Sequence, residues 1–348
     1  MSYSSVDIFK AAFVGVIFAL TLVGNSLVAW VLIKCRRYLL RNRPTYQFIL
    51  NIVLSDLTVG LLTMPFEFVR ELLGKWIFGT VLCKIVEFIE IAVSGTAVIT
   101  HALISFDRYR SVARPYLPKL RARQIKRMIT LSWLLPAFAA SPYLYMFQID
   151  EIDSKIICTP KAIPIPWLDK MYQAVTMSLI LLLPFLIMCW HYSLVALTMW
   201  GISPTVAAEN FSNSARRSVV YRNKKRVTRT SGLVAITFIV CWFPTFVLSF
   251  VRISSGTEHV HRGQLLQEVA MFGTFINEAI NPVIYCAFDR NIKSQVRLRA
   301  FCTHNTDSVV TSNDDDHTRH TVETDHRRKS TILETLDLTK SSKRTIQI

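Results

Sequence analysis

Charged residues are scarce in this chain. Only 18% of its 348 residues are Asp, Glu, Lys or Arg, while 51% are hydrophobic and the mean hydropathy is +0.33. A soluble domain carries about a quarter charged residues, so the composition excludes an ordinary soluble protein. Internal repeats are also absent, which argues against a secondary transporter, because many transporters are built from two related halves.

The sequence also lacks the residue clusters that catalysis requires. It contains no grouping of metal ligands or nucleophiles, and His101 and His191 stand alone. We interpret each histidine as a core or interface residue rather than a metal ligand. The sequence therefore predicts that the protein is not an enzyme.

Long apolar segments are what the sequence has instead. A helix needs about 20 apolar residues to cross a bilayer, and seven segments meet that length, so we predict seven spans. The first contains Asn25 and lacks a basic leader and a small-residue cleavage site, which argues against a signal peptide. The predicted spans are residues 11–33, 45–68, 81–106, 126–147, 172–199, 230–251 and 266–287.

Positive charge is distributed unevenly between the connecting segments. Residues 34–43, 108–127 and 199–230 hold 5, 8 and 7 Lys or Arg. The alternating segments hold only 1, 2, 3 and 2, and they are residues 1–10, 69–80, 148–170 and 252–265. Basic loops stay on the cytoplasmic side of a membrane, so we predict an extracellular N-terminus and a cytoplasmic C-terminus. The net charge of +16 then indicates contact with anionic membrane lipids rather than nucleic acid.

Two of the seven cysteines fall on the predicted outer side. Cys83 lies at the start of the third span, and Cys158 follows the fourth. Because the outside of a cell is oxidising, two lone cysteines there most simply pair. We therefore predict a disulfide bond between them. The alternative is a pair of free thiols.

Several polar side chains lie inside the predicted spans. Charged and amide groups are costly in a bilayer unless they are paired, so each is a candidate functional residue. The alternative is that they only join helices by hydrogen bonds. These residues are Asn25, Asp56, Asn277, Glu278 and Asn281.

Asn25, Asp56 and Asn281 belong to motifs that follow one another in order along the chain. The motifs are Gly24-Asn25-Ser26-Leu27-Val28, Leu54-Ser55-Asp56, Asp107-Arg108-Tyr109, Trp133, Pro184 with Tyr192, Phe238-x-x-Cys241-Trp242-x-Pro244 and Asn281-Pro282-Val283-Ile284-Tyr285. On these motifs the chain resembles the rhodopsin-like (class A) G-protein-coupled receptors over about residues 11–302, and it looks most like neuropeptide receptors. Residues 266–287 contain no lysine, which excludes a retinal-binding member of that family.

The resemblance implies an all-α membrane protein in the plasma membrane. Its expected architecture is a seven-transmembrane helix bundle with an amphipathic eighth helix and a disordered cytoplasmic tail. We expect a short extracellular N-terminus over residues 1–10, the bundle over 11–287, the inner-surface helix over 288–302 and the tail over 303–348. Cys302 is a candidate lipidation site. The Ser/Thr-rich tail is the expected contact for receptor kinases and arrestin.

The resemblance also implies which residues couple the receptor to a heterotrimeric G protein. Asp107 would restrain Arg108 at rest, and release of Arg108 toward other helices would open a cleft for the G protein. Lys224 stands where an acidic residue often adds to this restraint, so we hypothesise some constitutive activity. The expected coupling residues are Asp107, Arg108, Tyr109, Tyr192, Asn281, Pro282 and Tyr285.

A sodium ion is the only cofactor that the resemblance implies. Asp56 would hold it in the resting state, with Asn277, Glu278 and Asn281 as further candidate ligands. Two residues depart from the family pattern, because Ala97 replaces the usual serine and Glu278 occupies a position that is usually small and polar. Glu278 would supply an extra ion ligand, bind a proton or weaken the sodium dependence, and the sequence leaves these three alternatives open.

Carboxylates dominate the predicted ligand pocket. Glu87, Glu90 and Ser94 recur at helical spacing on the face that includes Cys83, and Glu67 should also point inward. Carboxylates grouped in this way favour a cation, and a guanidinium suits them better than an ammonium. The alternative is that Arg70 or Arg252 already neutralises them. The predicted pocket residues are Glu67, Glu87, Glu90, Ser94, Trp242, Phe246, Met271 and Phe275.

The expected ligand is an extracellular peptide with a basic residue. The acidic second outer loop, residues 148–170, should form a hairpin tethered by Cys158 over an open mouth. Thr245 replaces an aromatic residue that a small-amine site would need. A receptor for a small biogenic amine and a constitutively active orphan receptor remain the alternatives.

Overall fold

The structure is a computed structural model. It describes residues 5–36, 39–40, 43–114, 116–152, 155–161, 163–201, 214–255 and 264–296, and within these the side chains of 152, 200, 201, 214–227, 255 and 264 are left out. The side chain of Lys224, the end of the predicted inner-surface helix with Cys302, and the tail over 303–348 lie outside the described residues.

Helices make up nearly all of the described chain. The first half contains α1 (Ser5–Lys34), α2 (Pro44–Leu62), α3 (Met64–Leu73), α4 (Gly79–Val112), α5 (Ala122–Ala140) and α6 (Tyr143–Met146). A hairpin of β1 (Phe147–Ile152) and β2 (Lys155–Pro160) follows. The second half contains α7 (Pro166–Thr176), a π-helical segment (Met177–Leu182), α8 (Leu183–Gly201), α9 (Ser214–Ser255) and α10 (Gln264–Phe288).

Every predicted span overlaps one of these helices. Four helical stretches are long and apolar enough to cross a membrane by themselves: Ser5–Lys34, Pro44–Leu73, Pro166–Met199 and Thr228–Ser254. The other three predicted spans lie in α4, α5 and α10, where carboxylate, amide or basic side chains interrupt the apolar sequence and lower its mean hydropathy. The helix of the sixth span also continues through the basic segment before it, since α9 begins at Ser214.

Prolines disturb the helices in two different ways. Pro65 stands in the first turn of α3, directly after the helix breaks at Thr63. Pro184 follows the π-helical segment, where the helical turn widens. Proline lacks an N–H and its ring crowds the preceding turn, so a break or a wide turn is the expected response. The helix runs on through Pro136, Pro244 and Pro282.

α4 is the central helix of the bundle and packs against α2, α5 and α8. Asn51 of α2 joins three helices at this centre. Its Nδ2 donates to Thr100 Oγ1 at 2.8 Å and to Ser132 Oγ at 3.2 Å, and its Oδ1 accepts from Trp133 Nε1 at 2.8 Å. Interhelical hydrogen bonds of this kind hold membrane helices in register. The sequence motifs include Trp133 but not its partner.

Two glycines allow close approach between helices. A Cβ placed on Gly95 of α4 would lie 2.7 Å from Pro136 Cβ on α5, and one on Gly24 of α1 would lie 2.9 Å from Pro282 Cβ on α10. Small residues at such crossings bring membrane helices into contact.

α1 and α10 meet at further points along their length. Lys10 Nζ lies 2.5 Å from Glu268 Oε1, and the rings of Phe13 and Phe272 meet edge to face at 5.4 Å. Deeper in the bundle, Asn25 Nδ2 donates to the backbone carbonyl of Glu278 at 3.1 Å. The first and last spans are therefore joined at several levels.

The predicted disulfide and hairpin are both confirmed. Cys83 at the start of α4 is bonded to Cys158 in β2, and Cys158 faces Ile149 across the antiparallel hairpin. The backbone N–H of Trp76 donates to Ile156 O at 2.7 Å, which attaches the hairpin to the loop before α4. We call this region the disulfide end of the bundle, and the opposite region, around Arg108, the arginine end.

Candidate functional site

A group of carboxylates surrounds Arg70 at the disulfide end. Arg70 Nη2 lies 2.5 Å from Glu67 Oε2 and 3.0 Å from Glu71 Oε1, and it also contacts Met271 Sδ at 2.9 Å. The Glu67 side chain is only 2% exposed, whereas that of Arg70 is 29% exposed. Arg70 therefore neutralises Glu67, which is one of the two alternatives that the sequence left open for this group of carboxylates. The sequence reasoning did not include Glu71, although it adjoins Arg70 in the chain.

Glu87 and Glu90 lack such a partner. Both are half-buried on α4, and neither forms an ion pair within the part of the chain that the structure describes. Glu87 lies within electrostatic range of Glu67, Arg70 and Arg252. The disulfide end thus holds more carboxylates than directly paired cations, which leaves room for a cation from outside.

The other predicted pocket residues occupy different depths. Trp242 is buried and its ring lies 5.6 Å from that of Phe238. The rings of Phe246 and Phe185 meet at 5.5 Å. Ser94 is buried on α4. Phe275 is fully buried and packs in the core with residues of α1, α2 and α4, so its side chain lies in the helix packing.

Polar oxygens without partners gather in the middle of the bundle. Asn281 Nδ2 donates to Asp56 Oδ2 at 3.1 Å. Four other oxygens of the predicted sodium residues are buried without a hydrogen-bond partner among the described residues, and they are Asp56 Oδ1, Asn277 Oδ1, Glu278 Oε2 and Asn281 Oδ1. Buried polar atoms are normally satisfied by protein, water or an ion, so this oxygen cluster fits a hydrated monovalent cation.

Arg108 is held by two residues at the arginine end. Its Nη2 contacts Asp107 Oδ2 and Thr45 Oγ1. Thr45 Oγ1 in turn donates to Asp107 Oδ2 at 2.5 Å. Thr45 belongs to α2, so it joins the arginine to a second helix. The sequence reasoning missed Thr45, because a threonine at the start of a span carries no distinguishing local pattern.

Tyr192 and Tyr285, two of the expected coupling residues, form no hydrogen bond to Arg108 in the described structure. Tyr192 OH donates to the backbone carbonyl of Ser231 at 3.0 Å. Tyr285 is buried, and its hydroxyl has no hydrogen-bond partner among the described residues. Arg108 therefore stays with Asp107 and Thr45 in this arrangement.

Tyr109 and Pro282 take other positions. The Tyr109 ring stacks on His191 at 5.2 Å, and its hydroxyl accepts from Arg114 Nε at 3.1 Å. Pro282 packs against Gly24. The structure therefore spreads the predicted coupling residues over α4, α8 and α10.

A capped turn follows α10. Asp289 accepts hydrogen bonds from Tyr46 OH at 3.0 Å and from the backbone N–H groups of Asn291 at 2.9 Å and Ile292 at 3.1 Å. Residues 290–296 are helical, and Ile292 is fully buried. The carboxylate thus caps this helical segment and attaches it to α2, a contact that no local sequence pattern predicts.

Comparison with known proteins agrees with this architecture. The family model described as "7 transmembrane receptor (rhodopsin family)" matches residues 24–285. The chain belongs to this family. The match confirms the resemblance drawn from the motifs, and it makes the chain a multi-pass plasma-membrane receptor rather than an enzyme.

Curated relatives share most of the chain at modest identity. The Substance-K receptor of Canis lupus familiaris is 27% identical over 297 residues, covering 82% of this chain and 74% of the relative. The human Substance-K receptor is 27% identical over 289 residues, covering 80% and 69%. The Neuromedin-K receptor of Rattus norvegicus is 24% identical over 291 residues, covering 82% and 62%.

Proposed function

We propose that this receptor binds an extracellular peptide with a basic residue and activates a heterotrimeric G protein. The observation that carries the proposal is the excess of carboxylates over directly paired cations at the disulfide end, where Glu87 and Glu90 have no ion-pair partner among the described residues. The relatives support a peptide, since they are receptors for substance K and neuromedin K. A guanidinium on the ligand would bind the free carboxylates in a fork of hydrogen bonds.

The disulfide end would face the outside of the cell. A disulfide persists in an oxidising compartment, and the arginine end carries the segments with most Lys and Arg, which favours the cytoplasm. The hairpin held by Cys158 would then border the ligand entrance. The basic segments at the opposite end would lie beside the G protein and the inner leaflet.

Activation would consist of freeing Arg108. In the present arrangement its guanidinium is paired with Asp107 and Thr45, which supports a resting state. A ligand shifts such an equilibrium only by binding one state more tightly than the other. Release toward Tyr192 and Tyr285 would open the arginine end for the G protein. Lys224, where an acidic latch is often found, supports some basal activity.

The oxygen cluster around Asp56 would hold a sodium ion in the resting state. The four unpartnered oxygens support this proposal, and they include Glu278 Oε2. Of the three alternatives for Glu278, an extra ion ligand fits best, because its carboxylate oxygen is buried with the other unpartnered oxygens. Two carboxylates near one monovalent cation would strengthen its binding.

The cytoplasmic tail would serve regulation. Its Ser and Thr residues support receptor kinases and arrestin as partners, and Cys302 supports a lipid anchor. These proposals rest on sequence only.

The test of the peptide proposal is the substitution Glu90→Gln. Second-messenger assays with a peptide library that includes substance K and neuromedin K would first identify an agonist. The substitution removes one charge and keeps the side-chain shape. Because a hydrogen bond to a charged group contributes about 1.5–3 kcal/mol, the potency of the agonist should fall at least about tenfold. Glu151→Gln, in the exposed hairpin, is the matched control and should change potency less than threefold, about the scatter of such assays.

Unchanged potency of Glu90→Gln for the basic peptide, within about threefold, would refute the role of the carboxylate. Activation by an amine library and not by peptides would favour the small-amine alternative.

A further inference from the structure

An open cleft lies between the arginine-end halves of α9 and α10. Its volume is about 370 Å³, and it is lined by Arg229, Thr230, Ala287, Phe288, Arg290 and Lys293. Three of these six residues are cations and none is an acid. The cleft is separate from the narrow space around Tyr192 and Tyr285 inside the bundle.

The cations of the cleft have few partners within the described chain. The guanidinium of Arg229 lies over the ring of Phe288, 5.9 Å from its centroid. Lys293 Nζ donates to the backbone carbonyl of Ala287 at 3.3 Å. Arg290 is exposed and forms no hydrogen bond or ion pair with the residues that the structure describes. The cleft therefore concentrates positive charge that the protein itself leaves largely uncompensated.

The nearest carboxylate in sequence does not neutralise these cations. Asp289 is only 3% exposed, and its oxygens accept from Tyr46 and from the backbone of Asn291 and Ile292. It belongs to the inner space around Tyr285 rather than to the cleft.

The outer surface above the cleft is apolar on both helices. On α9, Ile236, Val240 and Phe243 are exposed. Ile236 lies seven positions after Arg229, about two helical turns, so it is on the same face of the helix. On α10, Val283 is 57% exposed, one turn before Ala287. In a bilayer these exposed apolar residues face acyl chains. On both helices the exposed apolar residues therefore lie next to the cationic cleft.

We propose that this cleft binds an anionic phospholipid whose headgroup carries more than one phosphate, such as a phosphoinositide of the inner leaflet. The phosphates would contact Arg229, Arg290 and Lys293, and the acyl chains would lie along the exposed apolar residues of α9 and α10. Arginine matches phosphate geometry well, and three cations exceed what one phosphate needs. The inference rests on the orientation proposed above, which places the arginine end at the cytoplasmic leaflet.

Binding can be measured directly on the purified full-length receptor. Fluorescent phosphatidylinositol bisphosphate would be titrated into the receptor in neutral detergent, and its anisotropy would give a dissociation constant. Each cation near a lipid headgroup contributes about fivefold, so the triple variant Arg229→Gln, Arg290→Gln, Lys293→Gln should bind about 100-fold more weakly. Arg290→Gln alone, at an exposed position, should weaken binding about fivefold and guards against misfolding of the triple variant.

A matched control has the same loss of charge at the same end of the bundle. Arg123, Lys126 and Arg127 are exposed on the first turns of α5, and their replacement by Gln should change lipid affinity less than about twofold. An equal loss in both triple variants would show attraction by net charge alone and overturn the proposal. So would equal affinity for soluble inositol trisphosphate, which lacks acyl chains, or preferential binding of a phosphorylated peptide of the receptor's own tail.

The assay contains no agonist and no G protein. Its failure would therefore leave the peptide proposal intact, and failure of the Glu90→Gln test would leave lipid binding intact.

Discussion

At the scale of single residues, the arginine end depends on a hydroxyl group. Thr45 donates to Asp107 and receives from Arg108, so one side chain orients both members of the ion pair. Asp107 and Arg108 are neighbours on α4, and Thr45 brings α2 into the same contact. The pairing of Asp107 with Arg108 follows from adjacency in the sequence. The third member does not, because α2 and α4 meet only after folding.

Removing this hydroxyl should raise basal signalling. In Thr45→Val the guanidinium loses one acceptor and the carboxylate one donor, while the side chain keeps its size. A hydrogen bond contributes about 1 kcal/mol, so the ratio of active to resting receptor should rise about fivefold. The measurement is agonist-free nucleotide exchange on a purified G protein, normalised to surface expression.

Thr58→Val is the control for this change. Among the described residues, Thr58 bonds only to the carbonyl of Leu54 in its own helix, at 2.8 Å, so its loss should leave basal exchange unchanged. Equal basal exchange in the Thr45 variant and the unmodified receptor would contradict a restraining role for this hydroxyl.

At the scale of elements, the sequence predicted features that depend on residue type and span order. It did not predict contacts between residues that are far apart in the chain. The cysteine pair and the hairpin beside it follow from residue type and span order, and the structure has both. Glu67 and Arg70 stand one turn apart on α3, so their ion pair was available from spacing. The contact of Tyr46 with Asp289 joins residues far apart in the chain, and only the packed bundle defines it.

The crossing of α4 and α5 is sensitive to the size of the side chain at Gly95. Gly95→Ala places a methyl group where Pro136 and Ile180 already stand, and overpacking of this kind costs about 1–3 kcal/mol. We expect a lower midpoint of thermal unfolding, measured with a thiol-reactive dye in detergent. Gly232→Ala in α9 is the control, since among the described residues no atom beyond its chain neighbours and its own helix backbone lies within 4 Å of the added group.

Replacement of Gly232 should instead stabilise the receptor by up to about 1 kcal/mol, because alanine favours helix more than glycine does. If both variants melted at the same temperature, the close approach of α4 to α5 would not limit stability.

At the scale of the whole molecule, two acidic regions lie along the bundle with different partners. The disulfide end has Arg70 among its carboxylates, whereas neither Asp56 nor Glu278 forms an ion pair with a described residue, and Asp56 is bonded to the amide of Asn281. The role of Asp56 was predictable from the sequence, because Asp56 stands in a motif of the family. Glu278 departs from that pattern. Only the structure shows that its Oε2, like the oxygens of Asp56, Asn277 and Asn281, is buried without a partner among the described residues.

The sodium proposal places the ion in the resting arrangement, and it therefore predicts that sodium lowers agonist affinity. The effect can be measured by competition binding with the agonist that the peptide library identifies. The assay compares low and high sodium chloride, and choline chloride holds the ionic strength constant. Asp56→Asn should abolish it, and Glu278→Gln should raise the sodium concentration needed by about tenfold, as expected for loss of one charged ligand. A sodium response equal in Glu278→Gln and the unmodified receptor would mean that Glu278 does not ligate the ion.

The repeated joining of α1 to α10 has a practical consequence. A salt bridge, an aromatic pair, a side-chain hydrogen bond and a glycine–proline contact fasten these two helices at successive levels between Lys10 and Asn25 of α1. Such a pair is suited to be the stationary frame of the receptor. Spectroscopic labels placed on α1 can then serve as the origin from which displacement of α9 is measured.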